Sequence, residues 1–96
     1  MTRAKLDKII AELAACRNRG GVRASELEQL AKDLGRVQSK RGKEPTWVSA
    51  VFADLRPLSI PHHGTELNKF TARSIIDLLG MDVDRWEEQL DIFGGK

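Results

Sequence analysis

Downstream of Gly35 the chain changes its hydrophobic period, and that change limits what it can fold into. Before it, apolar residues recur at helical spacing, first Leu6, Ile9, Ile10 and Leu13, then Leu27, Leu30, Ala31 and Leu34. After it, the segments RVQSKR, TWVSAVF and RPLSI are short and rich in β-branched and aromatic residues. Residues 42–45 and Ala53-Asp54-Leu55 separate them, so they read as three antiparallel strands. Helical spacing returns with Ala72, Ile75, Ile76 and Leu79, and again with Val83, Trp86 and Leu90. The expected order is α-α-β-β-β-α-α. Strands grouped between helices, without β-α alternation, imply an α+β layer fold in which helices cover one face of a small antiparallel sheet.

Local signals place the boundaries. The first helix is expected over residues 3–16 or so, ending near Asn18 because Arg19-Gly20-Gly21 follows. Ser25 and Glu28 have the spacing of a capping box for the second helix, and Gly35 sits where a left-handed residue closes one. Pro57 cannot donate a ladder hydrogen bond, which favours an edge for the third strand. Thr71 is the expected cap of a helix closed by Gly80, and Asp82 the cap of a last, acidic helix. The chain divides on this reading into an N-terminal helical extension (1–20), a central domain (21–80) and an acidic C-terminal helix and tail (81–96). Leu27, Leu30, Leu34, Leu58, Ile60, Ile75, Ile76 and Leu79 are the expected core.

With 96 residues, 41% of them hydrophobic, the chain can build one modest core. That argues against a deep, enclosed cofactor cavity, and no cofactor is expected. No run approaches the ~18 apolar residues of a membrane span, and charges interrupt the apolar positions of the first twenty residues, so a cytoplasmic protein is expected. The single cysteine, Cys16, can form neither an intrachain disulfide nor a cysteine-based metal cage, and reads as a small buried hydrophobe. The net charge of +2 conceals a polarity. Residues 1–43 hold 11 Lys and Arg against 5 Asp and Glu, whereas residues 44–96 hold 5 against 9. Such a chain can present a basic surface to a polyanion.

Two segments carry candidate chemistry. The run from Arg36 to Lys43 contains Arg36, Lys40, Arg41 and Lys43 and no acid, so it can track phosphates; the plainer alternative is an edge strand whose charge blocks sheet-to-sheet aggregation. The second is Ile60-Pro61-His62-His63-Gly64. Adjacent side chains on an extended segment point to opposite sides, so the histidines make a poor metal site and no metal is expected. Ahead of Lys69 and Arg73, however, a histidine can contact a phosphate or move a proton near neutral pH; otherwise the two are turn residues. Trp47 and Trp86 each fall on an apolar phase and read as core rather than as base-stacking platforms.

The run LRPLSIPHHGTELNKFTARSIIDLLGMDVDRWEEQL resembles the C-terminal half of HicA-type toxins, small prokaryotic mRNA interferases paired with a HicB antitoxin. Family members end a strand in an IP-x-H turn and follow it with a polar stretch, a Thr- or Arg-containing helix start and an Ile/Leu-rich helix. SELEQLAKDLG and the basic strand after it are similar to the family's first helix and strand, and residues 3–16 to an extension found in some members. The resemblance implies a double-stranded-RNA-binding-domain-like α-β-β-β-α fold, binding of mRNA, a HicB-like antitoxin as partner, and cleavage without metal. It matches His63 to the family's turn histidine, with His62 as the alternative. The family's catalytic histidine lies in a Gly-Ser-His-like turn; this chain reads Gly42-Lys43-Glu44-Pro45 there, with Glu44 in the histidine's place. Two outcomes stay open. In one, Glu44 is the base and His63 or His62 the acid of an endoribonuclease, with Arg36, Lys40, Arg41, Lys43, Lys69 and Arg73 holding RNA. In the other, the domain binds nucleic acid or a protein and does not cleave.

Overall fold

The computed structural model describes residues 1–39, 45–61 and 66–93. Over these the chain is α+β: α1 (Arg3–Asn18), α2 (Ala24–Asp33), β1 (Arg36–Ser39), β2 (Thr46–Ser49), β3 (Leu58–Ser59) and α3 (Lys69–Phe93). The strands form one antiparallel sheet in the order β1-β2-β3, which puts β3 at an edge, as Pro57 suggests.

Register explains how the sheet faces the helices. Gln38, Trp47 and Leu58 lie opposite one another on one face, while Val37 pairs with Val48 and Thr46 with Ser59 on the other. Trp47 and Leu58 are buried against the helical layer; Val37, on the outer face, is 51% exposed. The expected core residues Leu27, Leu30, Leu34, Leu58, Ile60, Ile75, Ile76 and Leu79 are all buried, in one cluster with Leu6, Ile9, Leu13 and Cys16 of α1. Arg3 pairs with Glu87 at one end of α1 and Arg17 with Asp77 at the other, so α1 and α3 run antiparallel.

Helix ends follow local hydrogen bonding. Thr2 Oγ1 accepts from the Lys5 N–H at 3.1 Å and starts α1. The expected Ser25–Glu28 box is not the cap of α2. The Leu67 N–H donates to the Val22 carbonyl at 2.8 Å and Arg23 forms a bridge with Glu66, which holds the chain extended up to Arg23. The helix therefore begins at Ala24, and it is Glu26, three residues past Arg23, whose carboxylate accepts from the Arg23 N–H at 2.9 Å. Gly35 adopts φ +94° after α2, the left-handed closure its position implies. β2 ends earlier than the apolar run TWVSAVF because Ser49 Oγ accepts from the Phe52 N–H at 2.9 Å and turns the chain.

The C-terminal third departs most from expectation. One helix of 25 residues replaces two, so the order is α-α-β-β-β-α, and Gly80 and Asp82 are both helix-interior residues. Thr71 is not its cap: the helix starts two residues earlier, with Asn68 Oδ1 accepting from the Phe70 N–H at 2.8 Å. A glycine inside a helix costs about 1 kcal/mol relative to alanine. Three anchors beyond Gly80 offset that cost. Asp82 binds Arg36, Val83 enters the core, and Trp86 Nε1 donates to the Leu34 carbonyl at 2.7 Å, satisfying the end of α2.

Candidate functional site

Arg36 corrects the expected phosphate-binding run. It is the first residue of β1 and shares the inward face with Trp47, so the residue is buried, at 3% exposure. Nε donates to Asp82 Oδ2 at 2.6 Å, Nη2 to Asp82 Oδ1 at 2.8 Å, and Nη1 to the carbonyls of Trp47 at 2.8 Å and Arg56 at 2.9 Å. A guanidinium committed in this way cannot reach a phosphate. Arg36 belongs to the core and not to an RNA surface.

Lys40, Arg41, Lys43, Glu44, His62 and His63 lie outside the described residues. What flanks them is described. The Ile60 N–H donates to the Pro45 carbonyl at 3.3 Å, continuing the β2–β3 register past Thr46↔Ser59. Pro45 follows Glu44 directly, and Ile60-Pro61 lead directly into His62.

Lys69 and Arg73 are exposed on the first turns of α3, and neither has an acidic partner among the described residues. With Arg17 and Arg19 they line an open cleft of about 350 Å³ whose floor includes Val22, Leu67 and Ile76. The volume lies at the lower end of the range of small-ligand pockets, about 300–1,000 Å³. The lining carries four cations and no acid. Gly20 and Gly21 form its rim. Gly21 has φ +72°, a backbone conformation that favours glycine, and the Glu66 carboxylate lies against it, 2.7 Å from where a Cβ would stand.

Electrostatics around this cleft are partly internal. Arg17 pairs with Asp77 at 2.5 Å and Arg19 with Glu26 at 2.6 Å, all four side chains being well exposed. The Glu26 carboxyl is held below the usual carboxylate range, first by the Arg23 N–H it accepts and then by Arg19. Arg19 is raised by its hydrogen bond to Glu26. Burial pushes the Cys16 thiol up, away from thiolate chemistry. The sequence points to Lys69 and Arg73 but not to Arg17 and Arg19. The available signal was two cations at a helix end directly before a Gly-Gly pair.

Among the described residues no group of three His, Cys, Asp or Glu could hold a metal ion, and no helix is long and apolar enough to cross a membrane. No family model, curated protein or solved structure matches this chain.

Proposed function

We propose that this chain is a HicA-like, double-stranded-RNA-binding-domain-like protein that binds mRNA and cleaves it without a metal ion, as the toxin of a toxin–antitoxin pair. The hydrogen bond between Ile60 and Pro45 carries the reading. The backbone that leads into Glu44 and the backbone that leads into His62-His63 are neighbours at the same end of the sheet. A base and an acid entering from those two points can act on one phosphodiester.

The chemistry needs few parts. Glu44 takes the proton of the ribose 2′-hydroxyl, the 2′-oxygen attacks phosphorus, and the bond to the 5′-oxygen breaks. His63, or His62 in the alternative assignment, protonates that leaving oxygen, giving a 2′,3′-cyclic phosphate and a 5′-hydroxyl. Lys40, Lys43 and Arg73 neutralise the phosphorane, and Arg41 and Lys69 hold flanking phosphates. A HicB-like partner covering the basic face would block access.

Glu44 in place of a histidine favours a second reading, a module that binds RNA or a protein partner without cutting. Incubation of the protein with structureless RNA in the presence of a chelator separates the two. The expected result is cleavage to cyclic-phosphate ends, abolished by His63→Ala with the melting temperature nearly unchanged. RNA binding with no cleavage would establish the second reading, and absence of both would overturn the proposal.

A further inference from the structure

We infer that the cleft between the end of α1 and the start of α3 is a phosphodiester-binding subsite, so that the N-terminal helix supplies part of the RNA track. The inference rests on the RNA-binding reading above and adds residues that it does not contain, Arg17 and Arg19.

Three observations converge. First, four cationic residues, Arg17 and Arg19 at the end of α1 and Lys69 and Arg73 at the start of α3, line one open cleft whose lining contains no acid. Second, Lys69 and Arg73 stand four residues apart, on the same face of α3, without acidic partners among the described residues. Third, of the acids near the cleft, Asp77 pairs with Arg17 and Glu26 with Arg19 from outside its lining, and Glu66 lies against Gly21 at the rim. Asp77 and Arg17 are 62% and 45% exposed, and ion pairs so placed are weak because water screens them, so a phosphate can displace the carboxylate at small cost. Asp77 pairs with Arg17, and no ion pair joins it to Arg73 four residues before it on α3. The Arg23–Glu66 bridge and the Leu67 N–H to Val22 carbonyl bond tie the two walls together. The cleft is thus preformed.

If Arg17 serves only to dock α1 through Asp77, removing either partner weakens the same contact. If Arg17 serves a phosphate, Asp77 competes with that phosphate, and its removal strengthens binding.

The test is the salt dependence of single-stranded RNA binding, followed by fluorescence anisotropy, with melting temperatures as the check on folding. Arg17→Ala combined with Arg73→Ala should weaken binding and lower the log–log slope by about 1.4, two contacts at roughly 0.7 each. Asp77→Asn should tighten binding, while Asp54→Asn, the same charge change on the Arg85 pair outside this cleft, should leave it unchanged. Pyrophosphate titration asks whether the cleft takes a free phosphate instead. An unaltered slope in the double variant, with wild-type binding intact, would overturn the subsite and leave the RNA-binding reading standing. So would weaker binding by Asp77→Asn, or pyrophosphate binding that depends on Arg17 and Arg73 when RNA binding does not. Absence of RNA binding by the wild-type protein would remove both.

Discussion

Arg36 and Asp82 meet across 46 residues of sequence, and both side chains are almost fully enclosed, at 2% and 1% exposure. A buried pair of this kind is not a source of net stability compared with a well-packed apolar pair, but breaking it strands a charge in the core. Replacing Asp82 by alanine should therefore destabilise the fold by about 3–5 kcal/mol, read from denaturant unfolding. A cost within the ~0.5 kcal/mol typical of surface substitutions would mean that the carboxylate is solvated. No sequence pattern reveals such a pair. Arg36 opens a basic run and Asp82 precedes an apolar helical stripe, so each reads most simply as something else: a phosphate contact and a helix cap. Strand alternation decides the matter, because it turns Arg36 inward with Trp47 and Val37 outward.

Among the elements, α2 and the strands were legible because their signals are local. The leucine spacing, Gly35 and the β-branched segments each act within a few residues. The C-terminal helix was not, because what carries it past Gly80 is tertiary: Asp82 on Arg36, Trp86 on the Leu34 carbonyl, and Phe52 packed edge-on to Trp86 at 4.9 Å. A Cβ at Gly80 would meet nothing within 4 Å. Gly80→Ala should thus stabilise the protein, by up to about 1 kcal/mol, since alanine restricts the unfolded chain and favours the helix. A loss of stability would show that the chain bends at this glycine. At the other end of the helix, Asn68 provides the cap and brings Lys69 and Arg73 onto exposed first turns, which is what their proposed role requires.

The molecule as a whole is electrically polarised. The cleft at Arg17, Arg19, Lys69 and Arg73 is cationic, whereas the far end of the α1–α3 pair carries Glu87 on Arg3, about 21 Å along α1. The charge asymmetry between the two halves of the sequence announced a basic surface but not its composition, since one cation it counted, Arg36, lies inside. The most direct measurement is a titration of the labelled protein with single-stranded RNA, following each backbone amide by NMR. Perturbations are predicted to concentrate on Thr46 and Ile60 at the sheet end and on Arg17, Lys69 and Arg73 at the cleft, with Arg3 and Glu87 unmoved. Perturbations gathered around Asp54 and Arg85, or none at saturating RNA, would contradict the account.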